Sequence, residues 1–176
     1  MKTIRPRENW DINFKDITVW DNFFTDECLK ILRYRILYAK YFDTQYDGYA
    51  AIDYFKNQDH LTELIAKELS SKINLPEFQR AWSFVYDHEH AGVGIHCDPS
   101  IVNINIWVSA DTIIKDESKN GLMIYKIKPP EAWKRSEWNG SKNGMGLKYI
   151  QSLNVKPTQV PYKSNRAIFF DGAYFH

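Results

Sequence analysis

Two apolar periodicities divide the chain at about Pro76. Before it, apolar positions recur every three or four residues, the spacing that gathers side chains on one helix face. Thr25 is placed to cap a helix over about 26–40, with Leu29, Leu32, Ile36 and Leu37 as its apolar stripe. Asp59 is placed to cap a second, which puts Leu61, Leu64, Ile65 and Leu69 on one side, and Pro76 blocks anything beyond it. Ahead of both, DINFKDITVWDNFF (11–24) is aromatic and β-branched with partial alternation, and predicts one or two strands entering a turn.

After Pro76 the period becomes two. EFQRAWSFVY (77–86) sets Phe78, Arg80, Trp82, Phe84 and Tyr86 on one face, and predicts a strand. DHEHAGVG reads as a glycine-bearing turn, and GIHCD as the start of the next strand. IVNINIWVS (101–109) alternates Asn103, Asn105 and Trp107 against Ile104, Ile106 and Val108. NGLMIYKI (120–127), VKPTQVPY and RAIFFDGAYFH supply further strands. PPEAWKRSEW (129–138) predicts a short surface helix with proline in its first turn, and SKNGMG a flexible connector. Helices first and antiparallel-type strands later predict an α+β fold whose strands close a sandwich or barrel. One domain is expected over 1–176, with helical support to about 76, a strand core from about 77, and an insertion at about 115–150.

Composition narrows the partners. Hydrophobic residues are 44% and charged residues 26%, an ordinary globular balance. Six Trp, eleven Tyr and ten Phe favour strands and lined pockets. The net charge of +1 gives no electrostatic reason to expect nucleic acid or an anionic membrane as partner. Cys28 and Cys97 are the only cysteines and form no CxxC pair, so a reducing compartment is expected. MKTIRPRENWDINF has no apolar signal-type core, and no apolar run approaches membrane-spanning length; a cytoplasmic location is the expectation. Oligomeric state leaves no mark in the sequence.

The candidate chemistry is in HCD, residues 96–98. On a strand, residues i and i+2 share a face, so His96 and Asp98 can aim an imidazole nitrogen and a carboxylate oxygen at one point. Pro99 helps the chain open after them, because proline cannot extend a central ladder. Two neighbours cannot enclose an ion, so a third ligand must come from elsewhere, and His176 ends a predicted strand that can lie alongside. Two histidines and one carboxylate on one side of an ion suit non-haem Fe(II), with positions left open for a co-substrate and O2. Taken alone, HCDP has a plainer reading, a strand-end histidine and a turn-forming aspartate before proline.

YDHEHAGVGIHCDPSIVNINIWVS, NGLMIYKIKPP and VPYKSNRAIFFDGAYFH together resemble the 2-oxoglutarate- and Fe(II)-dependent dioxygenases of prolyl-hydroxylase-like type, and VWDNFFTDECLKIL resembles that group's opening strand and first helix. The resemblance implies a double-stranded β-helix (a distorted jelly roll) behind N-terminal helices. It implies His96, Asp98 and His176 as iron ligands and Tyr86 lining the 2-oxoglutarate pocket. It implies hydroxylation of a small molecule or peptide, with Fe(II), 2-oxoglutarate and O2 as cofactor and co-substrates. If helices cover the isoleucine face of 101–109, the asparagine face points inward and Asn105 becomes a pocket residue; the reverse orientation is the ordinary alternative.

The pattern breaks in one place. The family's cation for the distal carboxylate of 2-oxoglutarate follows the second histidine, and this sequence ends at His176. Two explanations compete: a polypeptide that continues, or a short form that is inactive or uses another cation. Arg80 shares a predicted strand face with Tyr86 and is the one substitute the pattern offers. The alternative to an enzyme is a jelly-roll binding module whose metal site is degenerate or structural. His88 and His90 form an HxH that suggests a zinc-dependent cupin, but the following AGVGIHCD lacks the glutamate such a site needs.

Overall fold

A computed structural model describes the chain except for residues 40, 41, 47, 54–58, 87–92, 114–119 and 139–143. It divides into two units, one of Met1–Ile12 with Asn22–Gly92, the other of Asn13–Asp21 with Val93–His176. Mixed helices and small antiparallel sheets build both. Among the described residues no helix is long and apolar enough to cross a membrane.

The first unit is organised by two capped helices. Helix α1 (Asp26–Leu37) starts where the Thr25 hydroxyl accepts from the Cys28 N–H. Helix α2 (His60–Ser70) starts where the Asp59 carboxylate accepts from both the N–H and the hydroxyl of Thr62 at 2.8 Å. Cys28, Leu29 and Leu32 of α1 and Leu61 and Leu69 of α2 are buried. Leu37 is not: it is the last residue of α1 and 72% exposed, so the stripe is shorter than the sequence suggests. Strands β2 (Thr44–Tyr46), β3 (Tyr49–Asp53) and β4 (Trp82–Tyr86) form an antiparallel sheet in that order. The strand expected over 77–86 therefore begins five residues late. Its partner β3 ends at Asp53, which pairs with Trp82, and Phe78 beyond that point is 41% exposed. Arg80 donates to the buried Asp53 carboxylate at 2.5 Å.

The second unit carries β1 (Thr18–Trp20), β5 (Asn103–Trp107), β6 (Gly121–Ile124), helices α3 (Arg135–Trp138) and α4 (Met145–Ser152), β7 (Thr158–Pro161) and β8 (Arg166–Phe170). Among the described residues its strands form one antiparallel sheet of order β1-β8-β5 and a second, β6-β7. The sheets share an apolar cluster of Ile124, Val160, Ile168 and Phe170. A neighbouring cluster of Cys97, Tyr125, Ile150 and Phe175 joins α4 to the chain's last turn. Within the stretch expected as an insertion, Ile124, Tyr125 and Ile150 are buried. The helix expected over 129–138 is confined to α3, and α4 lies where a connector was expected to run on.

Register decides which residues look inward. Asn103 pairs with Phe170, Asn105 with Ile168 and Trp107 with Arg166, and directly paired residues share a face. The asparagine face of β5 is therefore the face that carries the Ile168–Phe170 cluster. Ile104 and Ile106 share the opposite face with Phe169 and Ala167, both fully buried.

Candidate metal centre

β8 stops at Phe170 because Asp171 closes a turn. Its carboxylate accepts from the Ala173 N–H at 3.0 Å, its carbonyl accepts from Tyr174, and Lys128 holds its other oxygen at 2.6 Å. The last residues are consequently not a continuation of β8. They run between two other segments. On one side Phe175 bridges Tyr125, donating to the Ile127 carbonyl and accepting from the Tyr125 N–H. On the other side His176 donates to the His96 carbonyl at 2.8 Å, and His96 donates back at 3.0 Å. GIHCD is correspondingly not a strand of either sheet, but an extended stretch held by this exchange and by Asp98 N–H to the Gly172 carbonyl at 2.8 Å.

That reciprocal pair of hydrogen bonds makes His96 and His176 direct antiparallel partners, which puts their side chains on one face. Their ring centroids lie 4.4 Å apart. Asp98, two residues along, brings Oδ2 to 3.7 Å from His176 Nε2. One ligand atom from each of His96, Asp98 and His176 lies within 4.8 Å of the others, a spread one ion can bridge.

Both imidazoles are prepared in the same way. His96 Nδ1 lies 2.9 Å from the Gly94 carbonyl, and His176 Nδ1 lies 2.9 Å from the Tyr174 carbonyl. A carbonyl can only accept, so each Nδ1 carries the proton and each Nε2 presents its lone pair. Burial, and then the neighbouring His96, push the His176 imidazole down to about 4, against the Tyr174 carbonyl and Asp98, which pull it up. At neutral pH the His176 imidazole is therefore uncharged, the form in which it could bind a metal ion without displacing a proton. The Phe170 ring meets it edge-on at 5.0 Å.

The carboxylate has its own support. Asn103 Nδ2 donates to Asp98 Oδ2 at 2.6 Å, and the Ser100 hydroxyl donates to Asn103 Oδ1 at 2.6 Å. The sequence pattern points to Asn105 on this strand, whereas Asn103 is the residue that touches Asp98; Asn105 shares its face by alternation. Five residues after Asp98, on the inward face of the following strand, is the signal that finds Asn103. Cys97 between the two ligands points away into the apolar cluster, and burial, then the Asp98 charge, push its thiol up to about 12. It is no thiolate and no ligand.

Two further residues singled out by the sequence belong to the first unit. Tyr86 ends β4 in the first unit, its ring tilted against Tyr49 at 5.6 Å between centroids and 46% exposed. Arg80, in the same unit, is paired with Asp53. His88 and His90 lie outside the described residues. In the second unit Arg166 grips Asp21 through Nε and Nη2 and donates to the Pro161 carbonyl, so its fork is engaged. Two imidazoles and one carboxylate, with no thiolate among them, form a donor set that could hold a divalent metal ion. No family model matches the sequence, and no curated protein or solved structure matches the chain.

Proposed function

We propose that this chain is a non-haem Fe(II)- and 2-oxoglutarate-dependent oxygenase with a double-stranded β-helix core, hydroxylating a small molecule or peptide. The observation that carries this reading is the pairing of His96 with His176, each with Nδ1 tied to its own i−2 carbonyl and each beside Asp98. Fe(II), when bound with 2-oxoglutarate and O2, supplies oxidation of an unactivated C–H bond, with succinate and CO2 as co-products. His96, Asp98 and His176 would hold the ion, and three protein ligands would leave coordination positions for the co-substrate and O2. His176 accepts the ion without releasing a proton at neutral pH. The apolar clusters around Ile168–Phe170 and Phe175 keep bulk water off the protein side of the site.

One observation favours a second reading, a binding module with a structural metal. Arg166, Lys128 and Arg80 are each already paired with an aspartate, which leaves none of the three as a ready partner for the distal carboxylate of 2-oxoglutarate. Fe(II)-dependent formation of succinate from 2-oxoglutarate separates the two. Turnover abolished by Asp98→Ala supports the oxygenase. Metal binding with no succinate and no absorption change on anaerobic addition of 2-oxoglutarate rejects it in favour of the module.

A further inference from the structure

We infer that Asn103 is the positioning residue of the metal-binding carboxylate, its amide held between Asp98 and Ser100; this rests on the reading that His96, Asp98 and His176 bind a divalent ion. Asp98 has a flexible side chain at the opening of a loop before Pro99, and its carboxylate can rotate unless something fixes it. Asn103 Nδ2 donates at 2.6 Å to Oδ2, the same oxygen that faces His176 Nε2 across 3.7 Å. An oxygen that accepts one hydrogen bond keeps a second lone pair for an ion, so the bond aims the ligand without consuming it.

The amide can do this in only one of its two orientations. Turned over, its carbonyl would face a carboxylate. The carboxylate, which only accepts, therefore selects this orientation, and the Ser100 hydroxyl completes it by donating to Asn103 Oδ1 at 2.6 Å. Ser100 is held in its turn by the close passage of Gly172. A Cβ on Gly172 would lie 1.8 Å from Ser100 Oγ and 2.9 Å from Asn103 Oδ1. Only glycine lets the 171–174 turn pass over this pair, and the same residue's carbonyl accepts the Asp98 N–H at 2.8 Å. Side chain and main chain of Asp98 are thus fixed by two neighbours that also touch each other.

Anaerobic Co(II) titration of the whole chain, by calorimetry and by visible absorption, tests this. Asn103→Leu keeps the shape and removes the donor, and is expected to weaken Co(II) about 10- to 100-fold and to alter its visible spectrum. Ser100→Ala is expected to weaken it at least about threefold in the same direction. In an Asp98→Ala background, Asn103→Leu should cost nothing further, which a merely structural role would not give. If wild type binds no Co(II), or Asp98→Ala binds as tightly as wild type, the triad fails and this inference with it. If Asp98→Ala weakens binding but Asn103→Leu changes neither affinity nor spectrum, this inference alone is overturned. Should Asn103→Leu not fold, Ser100→Ala decides: unchanged affinity and spectrum overturn it.

Discussion

Truncating Phe175 to alanine tests how the terminal ligand is held. Phe175 is fully buried in a cluster with Cys97, Tyr125 and Ile150, with Tyr149 6.3 Å away ring to ring. The packing is close enough that a Cβ on Gly146 would come within 2.9 Å of its ring. Its main chain is bonded to Ile127 and Tyr125, and the next residue is His176. Removing a fully buried ring forfeits roughly 2–3 kcal/mol of transfer free energy. The cavity adds to this, because α4 and the Tyr125 segment are fixed by their own bonds and close in only partly. The sum is about 3–5 kcal/mol. Urea unfolding of the metal-free protein should show that drop as a lower midpoint at unchanged slope. Co(II) affinity should fall as well, because the segment presenting His176 is loosened. Excess Co(II) should restore about 2.7 kcal/mol at 100 times its dissociation constant. A loss below about 1 kcal/mol would refute the packing argument. A full loss with Co(II) affinity unchanged would refute the claim that this segment holds the ligand.

Other consequences are as definite. Gly172→Ala should destabilise the protein by at least about 2 kcal/mol in thermal unfolding and weaken Co(II), since its Cβ would overlap Ser100 and Asn103. Asp59→Ala removes the cap of α2 and the partner of Arg35, and should cost about 1–2 kcal/mol in urea. Asp21 is held down to about 2, chiefly by Arg166 against an opposing desolvation, with Lys163 assisting. A depressed carboxyl stabilises the fold above its unfolded value near 3.8, and the gain disappears as pH falls through about 2. With the side chain 34% exposed this amounts to about 1 kcal/mol. The stability difference between wild type and Asp21→Asn should therefore be level from pH 7 to about 4 and gone near pH 2.

The features legible in the sequence are those fixed by near neighbours. Thr25 and Asp59 cap their helices through bonds to residues three positions on, and alternation over 103–107 is enough to mark β5. The alternation over 77–86 does not show where the strand begins, and β4 pairs with β3 only from Trp82 onward, opposite Asp53. The hairpin of β2 and β3 carries little alternation of its own and depends on β4 for a third strand. Helix α4 is short and begins beside Gly144 and Gly146, which locally read as connector. At the candidate site, the HxD spacing is visible in one dimension. The exchange of bonds between His96 and His176 spans eighty residues and is not. Alternation places Asn103 on the asparagine face of β5, but its contact with Asp98 depends on the register of β5 against β8 and the passage of Gly172 over Ser100.

The central claim is that His96, Asp98 and His176 bind one divalent ion with both imidazoles in the Nε2-ligating form. Proton NMR of the Co(II)-loaded protein reads this directly, because ligated imidazoles give strongly shifted exchangeable Nδ1 protons, kept from solvent here by the Gly94 and Tyr174 carbonyls. The account predicts two such resonances in wild type, one of them missing in His96→Ala and the other in His176→Ala. No shifted resonance, or the same two persisting in both variants, would contradict it.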